Sequence, residues 1–343
     1  MTELKTWNFA VIGTGVFGEE HMKMIESHPK ATLWGICDQR KERLEELGEK
    51  YHVQNLFQDA DELLSHDECD VVIIATDESS HLTLTELAVN KGKHVLLEKP
   101  VCLSKEDGRK LLSTTKSYDK LVLPAHILRY DSSYAKVKEQ LDDHRLGSLH
   151  SIKFKRNVPI ERFSLHSRTH PVFMSLSHDI DLMIWYTGKK PKSVYAKQKK
   201  ITEDNDAAGI IFAIIELEDG TLCQLETQWC LPNEYGQYLD VEMEVMGTDG
   251  HLVLKYPGDN LKVMAKGQLS QPDTSLATSV HGIPNGALAN QLDGYIRCLD
   301  GESSSPVINM EEAVTGVAIC EAIIEACETE KEIIWRDFFD EVN

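Results

Sequence analysis

The chain has 343 residues, enough for two domains, because one domain usually takes roughly 100–200 residues. Hydrophobic residues make up 41% and charged residues 27% of the sequence, which excludes a disordered or fibrous protein. The net charge of −20 argues against nucleic acid and anionic membranes as partners, since an acidic surface repels their phosphate groups. It does not argue against an anionic small ligand, because the N–H groups that begin a helix bind phosphate locally.

The first 125 residues alternate between short apolar runs and stretches with helical spacing. The run 70–76 (DVVIIAT) is nearly continuous and β-branched, which is typical of a parallel strand covered on both faces. The predicted strands are Asn8–Ile12, Thr32–Cys37, Asp70–Thr76, His94–Leu97 and Leu121–Ala125. The predicted helices are Phe17–His28, Lys41–Tyr51, His81–Asn90 and Lys105–Tyr118. This alternation predicts an α/β fold with a doubly wound parallel sheet over residues 1–125.

The pattern changes after residue 125, where alternating strand-like runs are separated by turn residues such as Asp219-Gly220. The predicted strands are Ser151–Arg156, Ser193–Lys199, Gly209–Leu217, Thr221–Trp229 and Leu239–Met246. The predicted helices are His178–Tyr186, Ala287–Leu299 and Met310–Thr329, and residues 267–286 are predicted to be a loop. Residues 126–343 are therefore predicted to form an α+β domain with a large, mostly antiparallel sheet.

The N-terminus and the cysteines predict a cytoplasmic location. The first apolar run, Phe9–Ile12, is far shorter than the core of a signal peptide. No stretch approaches the roughly 20 apolar residues of a membrane helix. The eight cysteines are scattered and form no C-x-x-C pair, so reduced thiols are expected.

The segment 11–18 (VIGTGVFG) contains G-x-G-x-x-G between the first predicted strand and the first predicted helix. Gly13 would allow the tight turn, Gly15 the approach of a pyrophosphate, and Gly18 close packing of the helix on the strand. Asp38, about twenty residues on, can accept hydrogen bonds from both ribose hydroxyls of NAD and would repel the 2′-phosphate of NADP. Arg40 could cover such a phosphate, so NADP stays open. The alternative is an accidental glycine turn in an unrelated α/β domain.

Lys99 follows the predicted strand His94–Leu97, at the end of which open α/β sheets bind ligands. Pro100 favours an extended conformation at Lys99, which would direct the side chain into the crevice. A lysine there can hydrogen-bond a reacting hydroxyl, whereas a solvated turn is the alternative. On the helix predicted at His178–Tyr186, the histidine suits proton transfer near neutral pH, and Asp181 shares its face. A helix-terminal histidine with a local polar partner is the alternative.

These motifs together resemble the glucose-fructose oxidoreductase/inositol dehydrogenase (Gfo/Idh/MocA) family of NAD(P)-dependent oxidoreductases. The resemblance covers the glycine motif, residues 70–76 followed by His81, the E-K-P segment 98–100, the helix 177–185 and the closing segment 306–329. It implies a Rossmann domain, followed by a domain whose open sheet commonly serves oligomerisation. The implied reaction is hydride transfer between a sugar or polyol carbon and the nicotinamide of NAD, with Lys99 and His178 flanking the reacting carbinol as the catalytic residues.

The resemblance extends the predicted site beyond these residues. The predicted cofactor-binding residues are Gly13, Thr14, Gly15, Val16, Phe17, Gly18, Asp38, Gln39, Arg40, Ala75, Thr76, His81, Glu98 and Lys99. The predicted substrate-binding residues are His126, Arg129, Tyr130, His170 and Asp179. No metal site is predicted. The expected partners are a small sugar or polyol substrate and further copies of the chain, in a dimer or tetramer formed through the C-terminal sheet.

Two departures from the family pattern leave the site incomplete. Inositol dehydrogenase-like members carry an aspartate four residues before the histidine, where this chain has Met174. Either His178 works with Lys99 alone, or another residue replaces the aspartate, and the candidates are His126, His170 and Asp179. Residues 77–78 are Asp-Glu where the family usually has proline and asparagine.

Three hypotheses on function follow from the sequence. The first is a dehydrogenase for a sugar, cyclitol or sugar derivative, and the arginines at 129, 156, 162 and 168 favour an anionic or heavily hydroxylated substrate. The second is a glycoside-processing enzyme that oxidises, eliminates and reduces again, so that NAD is recycled. The third is a regulator that senses a dinucleotide or a sugar without catalysis, which the presence of Lys99 and His178 disfavours.

Overall fold

The computed structural model describes residues 5–165, 169–201, 208–233, 238–258, 261–265, 268–302 and 307–339. The chain forms two compact units. The first unit comprises Met1–Asp131 and Ser275–Thr315, and the second comprises Ser132–Thr274 and Gly316–Asn343. The segment 275–315 thus packs with the N-terminal residues. The predicted division of roles between residues 1–125 and 126–343 stays a prediction.

The N-terminal part of the first unit is built from six parallel strands and five helices. The strands are β1 (Trp7–Ile12), β2 (Ala31–Cys37), β3 (Asn55–Phe57), β4 (Val71–Ile74), β5 (His94–Glu98) and β6 (Val122–Ala125). The helices are α1 (Val16–Ser27), α2 (Lys41–Lys50), α3 (Ala60–Leu64), α4 (His81–Asn90) and α5 (Lys105–Thr115). The sheet order is β3-β2-β1-β4-β5-β6, with parallel pairing throughout. This confirms the predicted doubly wound sheet.

The central strands of this sheet are buried on both faces. All four residues of β4 are fully buried, as expected for an apolar, β-branched strand between two layers of helices. Because all six strands are parallel, their carboxyl ends meet at one edge. The glycine turn, Asp38, Ala75 and Lys99 each follow a strand at that edge.

The second unit begins with a helix and a run of long strands. Its elements up to residue 270 are α6 (Ser132–Asp142), β7 (Leu149–Asn157), α7 (Glu161–Leu165), α8 (Ser177–Thr187), β8 (Pro191–Lys199), β9 (Ile210–Leu217), β10 (Leu222–Gln228), β11 (Asp240–Gly247), β12 (His251–Tyr256), β13 (Val263–Ala265) and β14 (Gln268–Ser270). The five strands predicted here are confirmed as β7 to β11, whereas β12 was not predicted.

The C-terminal segment contributes elements to both units. They are β15 (Thr278–Val280), β16 (Ile283–Asn285), α9 (Ala287–Leu299), α10 (Met310–Thr329), β17 (Ile333–Ile334) and α11 (Trp335–Phe339). The prediction of a loop at 267–286 was wrong at β14, β15 and β16, which lie within it and belong to two short antiparallel pairs, β13–β14 and β15–β16. Strands of three residues are too short to show an alternation of polar and apolar side chains in sequence.

The second unit contains a mixed seven-stranded sheet in the order β12-β11-β7-β10-β9-β8-β17. The pair β7–β10 is parallel and the other pairs are antiparallel. Along β9, Ile211, Ala213 and Ile215 are buried, while Phe212 and Ile214 are about half exposed. One face of this sheet therefore belongs to the core, and the other is exposed in the single chain.

Candidate functional site

The turn between β1 and α1 requires glycine at positions 13 and 18. Gly13 has φ +89°, and a Cβ atom there would lie 2.6 Å from the Ala75 carbonyl oxygen. A Cβ atom on Gly18 would lie 1.9 Å from the Gly13 carbonyl oxygen. Both distances are shorter than any real contact, so the helix can approach the strand only without these side chains. The roles predicted for Gly13 and Gly18 agree with this geometry.

Gly15 faces open space. A Cβ atom there would meet no other atom within 4 Å, and Gly15 supplies no side-chain cap to α1. The next residue, Val16, is 83% exposed. The N–H groups that begin α1 therefore point to an open surface, where an anion can bind them. This cradle fits a dinucleotide pyrophosphate, which the backbone of Gly13–Gly18 would hold.

Asp38 follows β2, and its carboxylate accepts hydrogen bonds from both Thr14 and Arg40. Its Oδ2 accepts hydrogen bonds from the Thr14 N–H (3.0 Å) and hydroxyl (2.7 Å). Its Oδ1 accepts from the Arg40 N–H (3.0 Å) and Nε (2.9 Å). Burial by itself would raise the pKa of Asp38, but the bonds from Arg40 and Thr14 outweigh it and hold the pKa well below its usual value. The carboxylate is therefore charged, and Arg40 lies beside it.

The other predicted cofactor residues lie around this edge. The Thr76 and Ser80 hydroxyls form a hydrogen bond of 2.7 Å. Gln39 is exposed. Phe17 is 44% exposed and makes an edge-to-face contact with His21. Asp77, one of the departures from the family pattern, accepts bonds from the Ser79 N–H and hydroxyl and thereby caps a short 3-10 turn.

Lys99 lies at the end of β5 and is partly buried. Its N–H donates to Glu98 Oε2 (3.1 Å), and the Lys99–Pro100 peptide is cis. Glu98 Oε1 lies 2.8 Å from His21 Nε2, so the Glu98 carboxylate contacts α1. On the other side, the buried His81 ring lies with Nδ1 2.8 Å from the Pro100 carbonyl oxygen. These contacts surround the backbone at Lys99.

The residues predicted to bind substrate after β6 are mostly buried. The Arg129 guanidinium donates from Nη1 to the Val307 carbonyl oxygen (2.8 Å) and to Glu312 Oε2 (3.1 Å). Its side chain has no exposed surface. His126 is also buried, and Tyr130 packs against Gly294 of α9. Arg129 thus anchors the start of α10, and its contact with substrate stays a prediction.

In the second unit, His178 lies in the first turn of α8 and is partly buried. A π-helical turn, Val172–Leu176, precedes it, and such turns occur frequently at functional sites. The helix ends at Gly188, which has φ +61° and donates its N–H to the Ile184 carbonyl (2.8 Å), so the predicted helix end is confirmed.

Met174 lies in this π-helical turn against an apolar cluster formed by Val158, Phe163 and Trp229. The position where inositol dehydrogenase-like members carry an aspartate therefore has an apolar environment here. A carboxylate at this position would lose hydration, and among these three side chains only the Trp229 indole N–H could donate a hydrogen bond to it.

Asp179 is occupied by an internal ion pair. The Arg156 guanidinium donates from Nε (3.0 Å) and Nη2 (2.8 Å) to its carboxylate, and both residues are buried. Burial would lower the pKa of Arg156, but the attraction to Asp179 raises it.

Burial lowers the pKa of His170 to about 4. The Arg162 guanidinium stacks on the Tyr238 ring at 3.3 Å from its centre. Arg168 lies outside the described residues.

Comparison with known proteins identifies the family. Residues 7–126 match the family described as "Oxidoreductase family, NAD-binding Rossmann fold", and residues 134–253 match the C-terminal domain of the same Gfo/Idh/MocA proteins. The two matches span more than half of the chain. The chain belongs to the Gfo/Idh/MocA oxidoreductase family. It is therefore an enzyme, an NAD-dependent dehydrogenase, which confirms the predicted cofactor and the predicted class of reaction.

Its relatives include named cyclitol dehydrogenases. The chain is 25% identical over 248 residues to myo-inositol 2-dehydrogenase of Thermotoga maritima, covering 71% of this chain and 73% of that protein. It is 28% identical over 257 residues to scyllo-inositol 2-dehydrogenase (NAD(+)) of Bacillus subtilis, covering 71% and 72%. The fold is similar to that of Lactobacillus casei scyllo-inositol dehydrogenase solved with NAD(H) and scyllo-inositol, with a TM-score of 0.82, 23% identity, and coverage of 96% and 99%.

Two features of this family member were missed from the sequence. The first is the buried contact of His21 with Glu98, although His21 stands four residues before Ile25 and so shares the predicted apolar face of α1. The second is the ion pair of Arg156 with Asp179, which joins residues far apart in sequence. No local pattern marks such a pair.

Two absences can be stated for the described part of the chain. Within it, no group of three or more His, Cys, Asp and Glu side chains is arranged to hold a metal ion. Across the same ranges, no helix is both long and apolar enough to cross a membrane.

Proposed function

We propose that this dehydrogenase acts on a secondary alcohol of a cyclitol or a related sugar. The observation that carries the proposal is the placement of Lys99 at the same sheet edge as the glycine turn and Asp38, where open α/β sheets bind their ligands. The named relatives that the chain resembles over about 71% of its length act on inositols. The proposal transfers that substrate class to this chain.

The reaction requires two interactions from side chains of the protein. When bound, NAD supplies the acceptor for the hydride. Loss of the hydroxyl proton gives the carbinol oxygen negative charge, and this charge is relieved as the carbon loses its hydride and the ketone forms. Lys99 is proposed to hydrogen-bond that oxygen, and His178 is proposed to take the proton. Both interactions are stronger in the transition state than in the ground state, which is the condition for faster turnover.

The decisive experiment mixes the protein with NAD or NADP and a panel of inositols, aldoses, glycosides and uronates. We expect absorbance at about 340 nm to rise with NAD and at least one inositol. Glycoside cleavage without a net rise in NADH would instead support the enzyme that recycles its cofactor. No turnover with any member of the panel would contradict the proposed substrate class.

Replacing Lys99 with methionine tests the catalytic assignment. We expect Lys99→Met to lower kcat by about 10²–10⁴-fold, because a positioned proton-transfer or hydrogen-bonding group contributes on this order. NAD affinity, measured by fluorescence titration, should change by less than about threefold, since the pyrophosphate and ribose sites are elsewhere. Lys91→Met, at the end of α4, is the matched control. Near-normal kcat in Lys99→Met would contradict the assignment.

We also propose that copies of the chain associate through the exposed face of the seven-stranded sheet. Cross-strand neighbours share a face, and the pairing joins one row of six residues, Tyr195, Ile214, Gln224, Lys153, Glu244 and Val253. The row is apolar at both ends and carries opposite charges in the middle. Ile214 and Val253 are about half exposed in the single chain. Such a face can pair with its own copy about a twofold axis.

A cytoplasmic location is part of the proposal. All eight cysteines are free thiols, and six of them are buried. Reduced cysteines are typical of a reducing compartment.

A further inference from the structure

We infer that His21 and Glu98 form a positioning pair for Lys99. The Glu98 carboxylate joins the His21 ring on α1 to the backbone N–H of Lys99. The inference rests on the proposed role of Lys99 in the reaction. It assigns to His21 and Glu98 no contact with the reacting atoms.

The geometry fixes the backbone on both sides of Lys99. Before it, the Glu98 carboxylate bonds His21 Nε2 (2.8 Å) and the Lys99 N–H (3.1 Å). After it, His81 Nδ1 contacts the Pro100 carbonyl oxygen (2.8 Å). His21 and His81 are each 1% exposed, and Glu98 is 7% exposed. The bonds of His21 and His81 are buried and that of the Lys99 N–H is partly buried, so water competes little for them, and they limit the movement of the peptide units that carry Lys99.

The groups around the Glu98 carboxylate stabilise its negative charge. Burial would raise the pKa of Glu98, but the hydrogen bond and charge of His21 and the charge of Lys99 lower it below its usual value. His21 faces the carboxylate from α1 and Lys99 faces it from the end of β5, while His81 and Glu78 lie on the α4 side. A buried carboxylate with these partners stays ionised.

A role in stability alone does not require this pair. Two apolar residues of similar size can often replace a buried hydrogen-bonded pair with little loss of stability, because neither leaves the other unsatisfied, and here only the Lys99 N–H loses an acceptor. A displacement of about 1 Å at a reacting group can lower the rate about 10²-fold. Glu98 bonds the backbone N–H of Lys99, the residue that carries the proposed catalytic amine, so loss of the pair can displace that amine.

The test compares the double variant His21→Leu/Glu98→Leu with the single variant His21→Gln. We expect the double variant to stay folded and to lose at least about tenfold in kcat, a larger loss than any it shows in NAD affinity. His21→Gln should recover most of the turnover, because the glutamine amide can still donate to Glu98. His94→Gln is the matched control, since His94 is a histidine at the opposite end of the same strand.

A second readout needs no substrate. The rate at which an amine-selective acylating reagent modifies Lys99, followed by peptide mass spectrometry, should change at least about threefold in the double variant, with Lys91 unchanged. If no inositol is turned over but this rate changes, the proposed substrate class fails and the positioning pair stands. If kcat and the modification rate of Lys99 both match those of the wild type, the inference is overturned. A loss of kcat that only parallels a loss of folding or NAD affinity also overturns it.

Discussion

Asp38 links cofactor choice to two neighbouring side chains. Thr14 and Arg40 both donate to its carboxylate, so Asp38 is charged and the Arg40 guanidinium is directed towards it. The Arg40 side chain is 62% exposed. With Asp38 present, a ribose 2′-hydroxyl finds an acceptor, whereas a 2′-phosphate meets a negative charge. Without it, Arg40 can turn to a phosphate.

Replacing Asp38 with serine should therefore shift the preference from NAD towards NADP. We expect KM for NAD to rise about tenfold and the ratio of kcat/KM for NADP to that for NAD to rise more than about tenfold, since a charge-assisted hydrogen bond is lost and a repulsion is removed. Steady-state kinetics with both cofactors measure this. Glu42→Gln on the exposed face of α2 is the control. An unchanged ratio would mean that Asp38 does not face the ribose.

At the scale of elements, Glu19 connects the first turn of α1 to α2. Its carboxylate accepts from Lys50 Nζ (2.6 Å), Arg43 Nη2 (2.5 Å) and the Tyr51 hydroxyl (3.0 Å). Hydrogen bonds from Lys50, Arg43 and Tyr51 lower the pKa of Glu19 to about 2, although burial opposes them. A lowered folded-state pKa stabilises the protein above the ordinary carboxyl pKa, and this stabilisation is lost as the pH falls from about 4.5 to about 2.

Glu19→Gln should accordingly lower the free energy of unfolding by about 1–2 kcal/mol at pH 7, after allowance for screening by solvent. The difference from the wild type should shrink as the pH falls below about 4.5. Urea unfolding at a series of pH values measures both effects. Glu20→Gln, which removes only an i,i+3 pair with Lys23, should cost less than about 0.5 kcal/mol. A difference that is independent of pH would argue against the charge of Glu19 as its cause.

For the whole molecule, the predicted association of copies of the chain depends on the exposed face of the seven-stranded sheet. Ile214→Lys places a charge in the middle of an apolar part of that face, where burial against a second copy would be costly. We expect a reduced mass by sedimentation or light scattering, with the fold retained because Ile214 is half exposed. Met264→Lys, at an 84% exposed position in β13, is the control. An unchanged mass in Ile214→Lys would place the contact elsewhere.

The sequence alone predicted five of the six strands of the Rossmann-type sheet, the glycine turn, the positions of Asp38 and Lys99 at strand ends, and the end of α8 at Gly188. Each depends on local patterns, since apolar runs predict strands and glycine is needed where the backbone leaves no room for a Cβ atom. Only the tertiary structure decided that Arg129 anchors α10, that Arg156 neutralises Asp179, and that His21 bonds Glu98. These partners are far apart in sequence. A buried charged side chain is stabilised by a partner, and only the folded chain brings the two together.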